Sequence, residues 1–461
     1  MTTDTAINNS NNRFAMVSAF LEKDFAFLWI SNVSMYIARW MQITTLSWFV
    51  LEVTDSPFSV GLVGFFGMAP FFMFGIFGGL LADSVDRKKL IAFTQFMSFT
   101  AALIMVLLFA FDLIAYWHSY VAILIPGLAW ALDMSSRRNL IMDIMGMERV
   151  SNGVALDSIG EDSGKIIGPA LAGLLIAIVG VTGSYIVLTS IIFIGCLAVV
   201  RIKIRTSQKR SGNADIPNTT KQKNYMVFLE VSSVYVGQSS GPPALNVFDG
   251  MSKVFKGLKQ GFKYVSKNNV MISVIVITIL MNLFLFPYVQ MVSVVSKRIL
   301  EVGPFFMGLL LASDGLGSLM GSTFLASRRK VKYQGRVYLY CSVLSLFALA
   351  AFALSSIYVL SLILLVMVGI GVGGFKIMQS ALVMIVSDPE FRGRAMGIIT
   401  LSIGVMPIGN ILVGAISQSI GASLTLFAYG TIGFSLVIIA GILMPAIRAE
   451  IIPFNTDTKI S

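Results

Sequence analysis

Charge is scarce in this 461-residue sequence: Asp, Glu, Lys and Arg make up 12% of it, against 56% apolar residues. Soluble domains carry about a quarter charged residues, and half that amount cannot cover a water-facing surface of this size. An ordinary soluble protein is therefore excluded. The only two cysteines, Cys196 and Cys341, lie in apolar runs, which excludes a disulfide framework and a cysteine metal site. One histidine, His118, cannot form a histidine-cluster metal centre, so no metal and no cofactor is expected. A secretory leader is not expected either. Residues 1–24 are polar and Asn-rich, and the first apolar run is too long for a cleavable leader.

Long apolar runs are what the chain has instead. About 20 apolar residues make a helix long enough for the hydrocarbon layer. Twelve such segments lie near 25–51, 59–82, 90–111, 119–141, 153–179, 183–200, 270–296, 304–326, 337–356, 358–386, 393–417 and 422–447. Helices are expected throughout, because lipid offers backbone groups no other partner and the runs lack a barrel's alternation. The net charge of +11 would suggest nucleic acid in a soluble protein; topology explains it here. With the N-terminus inside, 29 of the 34 basic residues fall on the inner side. Lys297 and Arg298 fall outside, and Arg39, Lys165 and Lys376 lie within spans. Such a split predicts an even number of spans with both termini cytoplasmic, and no nucleic-acid partner.

The expected organisation is a cytoplasmic tail (1–24), a first six-helix bundle (25–200), a linker (201–269), a second six-helix bundle (270–447) and a cytoplasmic tail (448–461). In the linker, Phe248, Met251, Phe255, Leu258, Phe262 and Val265 recur at helical spacing among five lysines. That pattern predicts an amphipathic helix, lying either on anionic lipid or against the protein's own loops. Residues 225–236 are too short to span and have no assigned place. The halves read as repeats. Pro57-Phe58-x-x-Gly61 returns as Pro304-Phe305-x-x-Gly308, and Gly168, Gly173 and Gly180 return as Gly409, Gly414 and Gly421. Transporters are commonly built from such repeats, with a site between them near the bilayer midplane.

Between the second and third spans stands Gly79-Leu-Leu-Ala-Asp83-Ser-Val-Asp86-Arg87-Lys88-Lys89. It resembles the loop motif of the major facilitator superfamily, a glycine for close helix approach followed by an acid and a basic cluster. Gly164-x-x-x-Gly168-Pro169-x-x-x-Gly173 resembles the superfamily's antiporter motif, which packs against the eighth span and is associated with exporters. Asp133-x-x-x-Arg137 is similar to a segment of the drug:H+ antiporters that include the enterobactin exporter, with Ser135 replacing a proline. Asn152, Leu156-Asp157 and Arg392-Gly-Arg-Ala-Met-Gly397 fit the same group. Those relatives often carry an acid where this chain has Arg39, a departure that leaves substrate charge and coupling chemistry open. The resemblance implies an all-α polytopic membrane protein with two six-helix bundles. It also implies a monomeric bacterial inner-membrane transporter, not an enzyme, exporting drug- or siderophore-like molecules against protons. A lipid flippase on the same fold and a non-transporting receptor or scaffold are the alternatives.

Ionisable residues inside a membrane are costly and therefore candidates for function. They are Arg39, Asp133, Asp157, Glu161, Asp162, Lys165, Asp314 and Lys376, with Arg137 at a span end. Asp157, Glu161 and Lys165 stand four apart on one helix face, and Glu161–Lys165 has the favourable acid-before-base order. Carboxylates are the expected proton carriers. Arg39 and Lys376, one in each half, either meet an anionic substrate or neutralise those acids. Gly369-x-Gly371-x-x-Gly374 has no βαβ context and is no dinucleotide site, and Gly160–Lys165 is one residue short of a phosphate loop.

Overall fold

The structure, a computed structural model, describes residues 18–203, 260–328, 331–388 and 391–450, with the side chains of 75–84 and 147–148 left out. Apart from two short 3-10 turns, the described elements are α-helices. They are α1 (Lys23–Thr54), α2 (Pro57–Ser84), α3 (Arg87–Ala110), α4 (His118–Gly146) and α5 (Arg149–Arg201). The second set is α6 (Asn269–Arg298), α7 (Pro304–Ala326), α8 (Gln334–Leu354), α9 (Tyr358–Val386), α10 (Arg392–Ile420) and α11 (Ala422–Leu443). Ten of these, α2 to α11, are long and apolar enough to cross a membrane. α1 has 32 residues and the length to do so, but its inner face is loaded with Ser31, Asn32, Gln42, Thr44, Thr45 and Ser47, all buried. α5 is divided at Gly180, whose φ of 72° and ψ of −179° break the helix. The same device separates α4 from α5 at Gly146, φ 69°. A side chain at either position would be strained, since positive φ is cheap only for glycine.

Burial runs opposite to that of a water-soluble protein. Large apolar side chains such as Phe96, Ile104, Ile178, Ile194, Leu197 and Phe347 point outward, while serines, threonines, asparagines and glutamines fill the interior. The solvent that suits such a surface is lipid. The polar groups inside are satisfied largely by one another and by helix carbonyls, which fixes the rotation of each helix.

Helices α1 to α5 pack chiefly on one another, as do α6 to α11, and two cross-pairs dominate between the sets: α2 with α10, and α5 with α7. The repeated glycines make those pairs. A Cβ on Gly61 would stand 2.9 Å from the Cα of Gly414, and one on Gly173 would stand 2.9 Å from the Cα of Gly308. Backbones this close are possible only with small residues on both sides. The antiporter-like stretch divides its contacts. Gly173 and the backbone of Pro169 meet Gly308 in the other half, whereas Gly164 and Gly168 pack on Tyr36, Ile37 and Trp40 of α1.

Most of the expected amphipathic helix, residues 248–259, lies outside the described residues, as does 225–236. Its described end, 260–265, is helical and packs on the chain itself. Tyr264 stacks on Phe391 at 4.5 Å, the Asp388 backbone N–H donates to the Tyr264 hydroxyl at 2.8 Å, and Val265 is buried.

Candidate functional site

A cavity of about 300 Å³ lies between the two sets of helices. The first set contributes Tyr36, Arg39 and Trp40 from α1, Gly64 and Met68 from α2, Trp130 from α4, and Glu161 and Lys165 from α5. The second contributes Asn282, Tyr288 and Gln290 from α6, Asp314 from α7, and Phe375, Lys376 and Gln379 from α9. Five of the expected ionisable residues thus meet at one place: Arg39, Glu161, Lys165, Asp314 and Lys376. Asp133, Arg137, Asp157 and Asp162 are not in its wall.

Lys165 makes the central contact. Its ammonium lies 2.8 Å from Asp314 Oδ2, with both side chains under 10% exposed. The sequence pattern pointed to Glu161, one turn earlier, as its partner; the structure gives it Asp314, on the other set of helices. Gly315 permits this, because its missing side chain would collide with the backbone of Lys165. The Lys165 ammonium also stands over the Trp40 ring at 5.7 Å. Arg39 lies over the Trp130 ring at 4.8 Å and points one nitrogen at the Met68 sulfur, 3.4 Å away.

A second cluster sits entirely within the first set. Arg137 donates through Nε (3.0 Å) and Nη2 (2.8 Å) to Asp133 Oδ2, which also accepts from the Thr94 hydroxyl at 2.8 Å. The remaining Arg137 nitrogen donates to Asn32 Oδ1 at 2.8 Å and to Ser31. Asn32 in turn donates to Asp157 at 2.7 Å, and Tyr36 donates to the other Asp157 oxygen at 3.1 Å. Helices α1, α3, α4 and α5 are joined by this one buried chain of charge-assisted bonds. The sequence reading found the three charges but not Ser31, Asn32, Tyr36 and Thr94, which satisfy them. The available signal was the run of polar residues in an otherwise apolar α1. Asp162 is half-buried, and the charges that act on it are Lys376, Glu161 and Lys165 of the cavity rather than those of this chain.

The two sets are also fastened at the end that carries Pro57 and Pro304. Arg298 pairs with Asp55 at 3.1 Å, Ser56 donates to Gln418 at 2.9 Å, and Ser47 donates to Gln290 at 2.8 Å. The glycine pairs Gly61–Gly414 and Gly173–Gly308 lie near the same end.

A family model described as the Major Facilitator Superfamily matches residues 28–408. The chain belongs to the Major Facilitator Superfamily. That superfamily is one of membrane transporters of small molecules, and the ten long apolar helices agree with an integral membrane protein. One curated relative is the staphyloferrin A transporter of Staphylococcus aureus (strain NCTC 8325 / PS 47), 25% identical over 149 residues, 32% of this chain and 38% of the relative. Another is the uncharacterized MFS-type transporter YfiS of Bacillus subtilis (strain 168), 25% identical over 157 residues, 34% of this chain and 36% of the relative. The matched stretches span little more than a third of those relatives' lengths. Solved structures with the same fold include a bacterial homologue of the human lysosomal transporter Spinster in an inward-facing, unoccupied conformation. That structure has a TM-score of 0.66 at 12% identity, covering 93% of this chain and 99% of that one. A peptide transporter POT in complex with sulfate has a TM-score of 0.67 at 13% identity, covering 92% and 95%.

In this superfamily member the loop motif holds the first set of helices to itself. Asp86 caps α3 by accepting from the Lys89 backbone N–H at 3.1 Å. Arg87 pairs with Asp143 of α4 at 2.6 Å, and Lys88 donates to the carbonyls of Val200 (3.2 Å) and Ile202 at the end of α5. A lysine there meets the negative end of the helix dipole. Gly79 and Asp83, the other two motif positions, have side chains outside those described.

Proposed function

We propose that this transporter exports a small amphipathic organic molecule, of the drug or siderophore kind, from a bacterial cell in exchange for protons. Counting α1 as one span and the two arms of α5 as two gives twelve spans. Residues 25–200 and 270–447 then rock against each other, with both termini cytoplasmic and the chain acting as a monomer in the inner membrane. The Pro57/Pro304 end is then the external one, and its fastenings make this an outward-closed conformation.

One observation carries the reading: a buried ion pair, Lys165–Asp314, has one partner on each side of the cavity between the halves. Rocking the halves must break it, and losing one partner of a buried pair is costly while its charge remains. A proton on Asp314 removes that charge, so the opening step and proton uptake favour each other. Glu161, in the same wall, is the second carboxylate placed to take part. Export follows from the antiporter-like face, and the siderophore class has support in the staphyloferrin A relative.

Everted vesicles containing the chain should accumulate substrate from a panel of dyes and siderophores when their lumen is made acidic, and stop when a protonophore collapses the gradient. Asp314→Asn combined with Glu161→Gln should remove the gradient dependence. Accumulation indifferent to the protonophore, or intact coupling in the double variant, would overturn the assignment.

A further inference from the structure

The cavity holds more positive charge than its own acids satisfy. Arg39, Lys165 and Lys376 face it against Glu161 and Asp314. Asp314 is already taken by Lys165 at 2.8 Å. Neither Arg39 nor Lys376 has a carboxylate within ion-pair distance among the described residues; Glu161 and Asp133 act on Arg39, and Asp162 on Lys376, only from beyond it. Arg39 is braced on the Trp130 ring and the Met68 sulfur, contacts that hold a guanidinium in place without neutralising it. Asp314 and Tyr288, buried residues about 2% and 1% exposed in the same wall, face each other without a hydrogen bond of ordinary geometry at Asp314 Oδ1 or the Tyr288 hydroxyl. Groups in this state are costly unless something else completes them.

We infer that the transported ligand is an amphipathic organic anion with at least two separated oxyanionic groups, one held by Arg39 and the other by Lys376. The inference rests on the transport reading above and names the substrate class of the same site. Arg39 is on α1 and Lys376 on α9, so a ligand with two acidic ends bridges the halves, whereas a monoanion satisfies only one. The planar guanidinium suits a two-point grip on a carboxylate, and the lysine meets the second acid as a point charge. Trp40, Trp130 and Phe375 cover the apolar body, and a hydroxyl on the ligand fits between the facing Asp314 and Tyr288 groups. An organic cation gains the aromatic contacts but meets two positive charges that no carboxylate contacts, so the same wall disfavours it.

Carboxyfluorescein and rhodamine 123 share a xanthene scaffold and differ in the sign of their charge, which makes them suitable probes. Fluorescence polarisation with the purified full-length chain in nanodiscs should show saturable carboxyfluorescein binding that rhodamine 123 does not displace. Arg39→Gln and Lys376→Gln should each weaken it by about tenfold or more, as loss of one partner in a desolvated charge pair does, while Arg39→Lys, which keeps the charge but not the two-point grip, weakens it less than Arg39→Gln. Each variant must elute as a single monodisperse species, which separates lost binding from lost fold. Tighter binding of rhodamine 123, no binding of carboxyfluorescein, or undiminished binding by both glutamine variants overturns the inference. Gradient-driven movement of rhodamine 123 alone would leave the transport reading standing and sink the anionic one. Charge-dependent carboxyfluorescein binding without movement in vesicles would do the reverse.

Discussion

The two halves meet at the cavity with different interiors. Behind the first wall lies an ionic chain, Thr94–Asp133–Arg137–Asn32–Asp157–Tyr36, that ties four helices. Behind the second, the corresponding core is neutral. Gln379 donates to the Thr278 hydroxyl at 2.6 Å, Thr278 shares a bond with the Tyr338 hydroxyl at 3.1 Å, and Tyr338 stacks on Phe375 at 5.0 Å. Hydroxyls and amides can exchange partners at small cost, whereas a buried guanidinium and carboxylate cannot be separated cheaply. The first half is therefore the rigid member. The second presents Asp314 across the gap and has a core able to adjust when that contact changes.

The largest effect expected from this contrast belongs to Arg137. Arg137→Gln leaves Asp133 buried without its counter-charge and should cost about 3–5 kcal/mol, read as a large fall in the melting temperature of the detergent-purified chain. Asp133→Asn added to it should recover much of the loss. Gln379→Leu in the second half removes a neutral bond, and about 1 kcal/mol is expected. Equal losses at Arg137 and Gln379 would erase the distinction between the halves.

A smaller effect tests where the halves are alike. Gly173→Val and Gly414→Val each force a side chain into a backbone contact between the sets, at positions related by the internal repeat. Overpacking of this kind costs typically 1–3 kcal/mol, and here the interface can relieve it by parting. Ser47 is buried where it donates to Gln290 across the junction. Thiol labelling of Ser47→Cys, in a chain with Cys196 and Cys341 changed to serine, should therefore speed up with either valine. Acceleration by one valine and not the other would show that the two junctions are not equivalent.

The junctions were legible in the sequence because the repeat places glycines at matching intervals, and glycine at a helix contact leaves a one-residue signature. The loop motif was legible in the same way, and Arg87 and Lys88 do hold neighbouring helix ends. The Lys165–Asp314 pair was not. Its members stand 149 positions apart, and their meeting depends on the height and rotation of α5 against α7, which no local spacing encodes. Local spacing favoured Glu161 as the partner of Lys165 because residues one turn apart always share a face. The neutral partners Asn32, Tyr36 and Thr94 escaped notice for a related reason. Each is uncharged, and only the three-dimensional neighbour of each turns it into part of an ionic chain. The described end of the amphipathic segment settles against Phe391 and Asp388, which the sequence had left open between lipid and protein.

The smallest effect is expected outside the membrane-spanning segments, at Lys332 and Glu450. Their side chains approach to 3.5 Å while remaining 63% and 53% exposed. The Glu450 carboxylate beside it raises the Lys332 ammonium above its ordinary range. A raised lysine contributes fully below the ordinary lysine range, near pH 10.4, and the contribution fades as pH rises through the higher folded value. Across pH 6 to 9 the lysine is charged in both the folded and the unfolded chain, so no pH dependence should arise from it. Water and salt screen what remains, and holding two long side chains together costs entropy. Glu450→Gln should leave the melting temperature unchanged, in low salt and in high salt alike. The result would sharpen the contrast with Arg137, whose pair is both closer, at 2.8 Å, and buried: opposite charges matter most where the surroundings cannot replace a lost partner. A clear destabilisation by Glu450→Gln would mean that the segment ending at Glu450 is held to the 331–336 turn by that pair rather than by Arg336, which donates to the Arg448 carbonyl at 2.8 Å.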